Sequence, residues 1–161
     1  MSRKFAAALL LLVGFFVPAV SPAQANPAVN TSRGAVLVDG KPAPGLAVHG
    51  YDVVAYFTDG KPALGTSKYS VVHEDATYRF ASQEHADAFK ATPAKFVPGY
   101  GGYCAYGVAL GAKFDGDPLL WTLVDGKLYL NLDRDIAAAF AKDKAGNIKK
   151  ADANWPKLAD K

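Results

Sequence analysis

The chain has 161 residues, a single cysteine and a formal net charge of +3, and half of its residues are hydrophobic. That length and composition fit one packed domain, and one cysteine excludes an intramolecular disulfide. Residues 26–161 carry 16 basic and 15 acidic side chains. This segment therefore lacks the excess of positive charge that nucleic-acid binding requires, and no nucleic-acid partner is expected.

The N-terminus has the three parts of a secretory signal in their usual order. Arg3 and Lys4 precede a 13-residue apolar run, Phe5–Val17, and the small-residue pattern Ala23-Gln24-Ala25 follows. This order predicts a cleavable signal over residues 1–25 and a periplasmic or secreted protein. The run is too short for a comfortable membrane anchor, so no stable membrane insertion is expected after cleavage.

The next segment, residues 26–45, is expected to form a loose arm and a turn. Ala35–Val38 has the pattern of a short strand, whereas Lys41–Gly45 contains two prolines and predicts no regular structure. Gly50–Phe57 is apolar but short, and such a run fits either a strand or a helical turn.

A hairpin followed by two helices is predicted next. Tyr69–Val72 and Thr77–Ala81 have strand composition and are separated by four polar or small residues. Ser82 is a suitable N-cap for a helix reaching about Ala91. Thr92-Pro93 predicts a second, short helix, because proline is favoured at the first helical position.

The C-terminal part contains the clearest hairpin. Trp121–Val124 and Lys127–Asn131 flank Asp125-Gly126, which suits a two-residue turn, and the face carrying Leu128 and Leu130 is expected on the core. Asp133 should cap a helix ending near Gly146, and Asn147 should start a last helix stopped by Pro156. Together the elements predict a compact single α+β domain with two β-hairpins packed against several short helices.

Several separated motifs resemble the YHS domain family, in the long form found in exported bacterial proteins. The resemblance covers residues 46–157. It is carried by the segments 50–57 (GYDVVAYF), 78–82 (YRFAS), 100–105 (YGGYCA), 121–131 (WTLVDGKLYLN) and 151–156 (ADANWP), together with Phe89, Pro93 and Phe96.

The resemblance implies a binding or sensing module related to proteins of metal transport and resistance. Many members have Phe-Cys-Ser-x-x-Cys at the helix entry, where this chain has Phe80 to His85 (FASQEH). Alanine and histidine thus stand where the two cysteines would be, and the thiolate pair is absent.

The remaining metal ligands predict a mixed site. Cys104 with His85, completed by His49 or Asp52, would suit Cu or Zn, since three or four ligands of matched softness are needed. Tyr51 and Tyr103 flank these residues and are further candidates. The sequence contains no CxxC, HxxxH or HExxH spacing and no hydrolase, P-loop or dinucleotide motif, so catalysis is not expected.

Two alternatives remain open at this stage. The chain could be a non-catalytic accessory module of an envelope complex, with exposed tyrosines around Gly99–Gly107 as the partner surface. It could also use Cys104 as a redox-active thiol, which would require exposure and a lowered pKa. Oligomeric state and partner are not determined by these patterns.

Overall fold

The computed structural model describes residues 27–32 and 34–161, and the predicted signal over residues 1–25 lies outside them. The described chain forms three two-stranded antiparallel sheets and six helices. The strands are Val36–Val38 (β1), Lys41–Ala43 (β2), Thr66–His73 (β3), Ala76–Phe80 (β4), Asp117–Val124 (β5) and Lys127–Asn131 (β6). The helices are Ala55–Thr58 (α1), Gln83–Ala91 (α2), Pro93–Phe96 (α3), Ala105–Ala109 (α4), Arg134–Lys142 (α5) and Lys144–Leu158 (α6). The predicted α+β class is therefore confirmed, with one hairpin more than expected.

The additional hairpin lies in the segment predicted to be irregular. β2 includes Pro42 and pairs with β1 in the register Val36↔Ala43 and Val38↔Lys41. Proline is tolerated there because the strand has a single partner. Upstream, the expected loose arm is docked: Val29 is 4% exposed within the core, and Thr31 bridges to Ala47.

The central hairpin and its helices form as predicted. β3 and β4 pair through Ser70↔Arg79 and Val71↔Tyr78. The Ser82 hydroxyl accepts a hydrogen bond from the His85 backbone N–H at 3.2 Å and begins α2. Pro93 opens α3. These predictions succeeded because caps and turns depend on chemistry within a few residues.

β6 is buried on both faces and separates two hydrophobic clusters. Leu128 and Leu130 are completely buried in the first cluster, which the central hairpin and α2 complete. Tyr129 points the other way into a second cluster with Val108 and Phe140. The predicted register of this hairpin and the burial of its Leu128 and Leu130 face are confirmed. The opposite face of β6, with Tyr129, is buried as well, because α4, α5 and α6 cover it.

The boundary between the last two helices also differs from the prediction. α5 ends at Lys142, and the Asp143 side chain caps α6 by accepting from the Gly146 N–H at 2.9 Å. Pro156 lies inside α6 and does not stop it. In the described ranges no helix has both the length and the hydropathy needed to cross a bilayer.

The burial of β6 generates a stability prediction. Leu130→Ala should lower the free energy of unfolding by about 2–5 kcal/mol, because the side chain is fully buried and leaves a cavity. Leu123→Ala, on the paired strand but 36% exposed, should cost distinctly less. Urea denaturation of both variants would measure the difference, and equal losses would contradict the complete burial of Leu130.

Candidate functional site

The segment Val48–Gly50 forms a single left-handed turn. Val48, His49 and Gly50 have φ angles of 49°, 51° and 80°. Only glycine adopts this region at little cost, and a β-branched residue such as valine does so rarely. Burial of Val48, which is 2% exposed, and backbone hydrogen bonds at both ends of the turn hold it in place. Strained backbone of this kind concentrates at functional sites.

A second left-handed turn lies against the first. Tyr100, Gly101 and Gly102 have φ angles of 54°, 59° and 85°. A Cβ on Gly102 would lie 3.7 Å from a methyl group of Val48. The Asn30 N–H donates to the Gly101 carbonyl at 2.9 Å, and its side-chain amide donates to the Gly102 carbonyl at 3.2 Å. The N-terminal segment is therefore hydrogen-bonded to the second turn, which in turn packs on Val48.

The outer side of these turns holds a short polar network. The Asp115 Oδ1 atom accepts from the Asn30 amide at 2.6 Å and lies 2.9 Å from His49 Nε2. Burial alone would raise the pKa of Asp115. The hydrogen bonds from Asn30 and His49 outweigh burial, with smaller contributions from the His49 charge and the Gly116 N–H, so the pKa of Asp115 is lowered. Asp115 is thus held as a carboxylate beside the imidazole.

This network forms one wall of a surface groove, which we name the His49 groove. The groove has a volume of about 360 Å³ and is lined by His49, Tyr51, Asp115, Asp117, Pro118, Leu119 and Leu132. Leu119 and Leu132 are 57% and 40% exposed. The groove therefore offers apolar side chains next to an imidazole and two carboxylates, which is the composition of a binding site.

Asp52 and His85, both predicted as candidate site residues, are in direct contact. The Asp52 carboxylate is completely buried, and its Oδ2 atom lies 2.6 Å from His85 Nδ1. It also accepts from the backbone N–H groups of Val54, Ala55 and Ala81 at 2.8, 3.3 and 2.8 Å. Because backbone amides only donate, the carboxylate acts as acceptor, and His85 Nδ1 is assigned as the protonated nitrogen.

The other ring nitrogen of His85 points outward. His85 Nε2 lies 3.2 Å from the Thr58 hydroxyl and 4.0 Å from Asp59 Oδ1. The connectivity of carboxylate, imidazole and hydroxyl resembles a hydrolase relay. However, the Thr58 hydroxyl makes its shorter hydrogen bond, 2.8 Å, to Asp59, so its proton is directed away from the imidazole that would have to remove it.

Cys104 is a buried residue whose thiol caps a helix. The thiol is buried, at 1% exposed. Its sulfur accepts from the Gly107 N–H at 3.4 Å, capping α4, and lies 3.8 Å from the Asn131 side-chain oxygen. A thiol this buried lacks the access that redox chemistry requires.

The tyrosines around Cys104 do not form the exposed surface expected from the sequence. Tyr100 is 7% exposed, and its hydroxyl donates to Asp152 at 2.9 Å. Tyr103 is half-buried, with its hydroxyl donating to the Pro27 carbonyl at 3.1 Å and the Lys113 ammonium 4.8 Å from its ring centre. The prediction of an exposed tyrosine patch is therefore wrong: these rings pack α6 and the N-terminal segment onto the domain.

The structure distributes the predicted metal ligands over separate places. His49 contacts Asp115, His85 contacts Asp52, and Cys104 contacts Asn131. Within residues 27–32 and 34–161, no three His, Cys, Asp or Glu side chains are grouped as a metal ion would need. His49 and Tyr51 do come together, in the groove.

Sequence reasoning missed Asn30, Asp115, Thr58 and Asp59. Asn30 is 85 positions from Asp115, and nothing local marks either residue as a partner of His49. Asp115 and Asp117 stand in the polar segment before β5, a pattern that also suits an ordinary loop.

Comparison with known proteins found no matching family model, and neither a curated protein nor a solved structure matches the chain.

The contacts of Asp52 generate a second prediction. Asp52→Asn should lower the free energy of unfolding by about 3 kcal/mol, because the new amide group faces donors that it cannot satisfy. Asp87→Asn provides a matched control: its side chain is 59% exposed and bonds only Gln83 and Lys90, so it should change stability by no more than about 0.5 kcal/mol. Similar losses in the two variants, measured by urea denaturation, would contradict the role of Asp52.

The lowered pKa of Asp115 predicts a pH dependence. A carboxyl group with a lowered folded-state pKa stabilises the fold above its ordinary value of 3.8, and this contribution is lost as the pH falls through the lowered pKa. Wild type should therefore exceed Asp115→Asn in stability at pH 5, and the difference should vanish towards about pH 2. Thermal unfolding across this range would measure it, with Asp160→Asn as an exposed control. A difference that grows on acidification would be inconsistent with the Asp115 contacts.

Proposed function

We propose that the chain is an exported, YHS-type binding module of the cell envelope, without catalytic activity of its own, and that its ligand is bound in the His49 groove. The observation that carries the proposal is the left-handed turn Val48–Gly50. This turn keeps two non-glycine residues in a strained conformation and presents His49 to Asp115 at the edge of an apolar groove. A strained turn with polar groups fixed around it, at the edge of a groove, supports binding there.

The lining of the groove is complementary to a ligand that combines an apolar body with a positive charge or hydrogen-bond donors. Leu119 and Leu132 supply apolar surface, and Asp115 and Asp117 supply carboxylates beside it. An aliphatic-basic segment of a partner protein in the envelope has this chemistry. Apolar contact would provide most of the affinity, and the carboxylates would provide orientation.

A second cavity, of about 330 Å³, supports this function less well. It is lined by twelve residues that include Tyr100, Lys127, Tyr129, Asp152 and Trp155. The Tyr100 hydroxyl already donates to Asp152 at 2.9 Å, and the ring of Tyr100 packs on Tyr129 and Trp155. The packing of α6 onto the rest of the domain therefore accounts for these residues without a ligand.

The proposal is tested by site-specific photocrosslinking in the envelope of the native host. A photoreactive residue at position 119 should give one discrete adduct. Changing Asp115 and Asp117 together to Asn should reduce that adduct several-fold while the protein level is unchanged. Position 37 provides the matched control, since Leu37 is 54% exposed and lies on β1, outside the groove-lining set. No adduct at position 119, or equal adducts at positions 37 and 119, would refute the His49 groove as the binding site.

A further inference from the structure

We propose that Arg79 and Lys68 form a binding site for a small organic carboxylate, in a pocket between the β1–β2 hairpin and the start of β3 that we name the Arg79 pocket. The pocket has a volume of about 520 Å³, and its lining includes Leu37, Asp39, Ser67, Lys68 and Arg79. The site goes beyond the proposed function, because the Arg79 pocket shares no residue with the His49 groove.

The position of Arg79 follows from the alternation of side chains along β4. Tyr78 and Phe80, its two neighbours, are buried in the first hydrophobic cluster, so Arg79 lies on the opposite face of the strand. A Cβ on Gly50 would lie 3.9 Å from Arg79 Cδ, so the aliphatic part of the side chain is covered by the left-handed turn. Arg79 is therefore half-buried where it lines the pocket.

Arg79 lacks the partner that a half-buried guanidinium normally has. In residues 27–32 and 34–161, the ion pairs are made by the histidines and Lys90, and none includes Arg79 or Lys68. The Arg79 Nε atom is buried from water and has no hydrogen-bond acceptor in the same ranges. A guanidinium is always charged, and buried polar groups are nearly always hydrogen-bonded. An anionic ligand would supply both the opposite charge and the acceptor.

A bulge in β3 brings further polar groups to the same place. Residues 67–69 are inserted opposite a single step of β4, and the register resumes at Ser70↔Arg79. The Ser70 hydroxyl donates to the Ser67 carbonyl at 3.0 Å and closes the bulge. Bulges redirect side chains and are common beside functional sites. This one places Ser67 and Lys68 in one lining with Arg79.

The charges and the apolar surface of the pocket select the kind of ligand. Two cations, Lys68 and Arg79, stand with one carboxylate, Asp39, which lies exposed in the turn between β1 and β2. This balance favours an anion with one charge over a dianion such as phosphate. A planar carboxylate also matches the edge that Nε forms with its neighbouring Nη, because it accepts two parallel N–H bonds there. Leu37, 54% exposed, adds apolar surface for an aliphatic chain.

The experiment is an NMR titration of the ¹⁵N-labelled full chain with sodium hexanoate at constant ionic strength. Hexanoate should bind at one site and shift the Nε–H resonance of Arg79 and the amide resonance of Gly40. Two parallel titrants separate charge from apolar contact. 1-Hexanol, which has the chain without the charge, should leave the Arg79 resonance unmoved, and inorganic phosphate should bind several-fold more weakly than hexanoate.

Three variants should change the affinity for hexanoate in a fixed order. Arg79→Gln should weaken binding by about tenfold or more, because a hydrogen-bonded charge is lost. Lys68→Gln should weaken it by up to about fivefold, and Asp39→Asn should strengthen it by up to about fivefold, because both side chains are exposed. The exposed positions keep the test valid even if Arg79→Gln destabilises the fold.

Lys95→Gln is the matched control and should leave the affinity unchanged. Lys95 and Lys68 each have the ammonium near the next aromatic ring, 5.1 Å from Phe96 and 5.0 Å from Tyr69, but Lys95 lies outside the pocket lining. Equal affinity of wild type, Arg79→Gln and Lys68→Gln would overturn the site, as would an equal loss in Lys95→Gln. Hexanol or phosphate binding as tightly as hexanoate would overturn the assignment to a carboxylate.

Failure of this site and failure of the His49 groove are distinguishable. Photocrosslinking at position 119 does not depend on Arg79 or Lys68, which lie outside the groove lining. A small carboxylate also gives no protein adduct at position 37, so that control is unaffected by binding in the Arg79 pocket.

Discussion

The buried carboxylate of Asp52 is the contact that joins three elements around the first hydrophobic cluster. Its two oxygens accept from three backbone amides and from His85. They thereby join the start of α1, the end of β4 and the first turn of α2. A buried charge is tolerated only when it is fully hydrogen-bonded, and four donors satisfy this one. The same contacts hold α2 against the start of α1 and the end of β4.

The strain at Val48–Gly50 is compensated by this packing. Left-handed backbone costs about 1–2 kcal/mol for each non-glycine residue, and the turn contains two of them. Burial of Val48 in the first cluster and the anchoring of the next residues through Asp52 offset that cost. Asn30 then locks the opposing turn and Asp115 in place. These contacts orient His49 towards Asp115, and a side chain oriented in advance loses less entropy on binding.

The two histidines that contact aspartates differ in the burial of the partner. In the His49 groove, the imidazole is paired with an exposed carboxylate that Asn30 also bonds, and it contributes to a polar rim beside apolar residues. At His85 the paired carboxylate is completely buried, so this pair joins α2 to the core.

Much of the fold was predictable because it depends on local chemistry. Ser82 as a cap, Pro93 at a helix start and Asp125-Gly126 as a turn each act within a few residues, and each was confirmed. Predictions failed where distant packing intervened. β2 forms despite Pro42 because a neighbouring strand pairs with it. Tyr100 is buried because α6 covers it.

The sequence by itself determined the α+β class, the starts of α2, α3 and α5, the register of the β5–β6 hairpin and the residue types able to bind a ligand. Only the tertiary structure decided which of those residues meet. Asp52 lies 33 positions before His85, and Asn30 lies 85 positions before Asp115. Contacts across such separations leave no periodicity or spacing in the chain. They arise only when the burial of two hydrophobic clusters has brought the segments together.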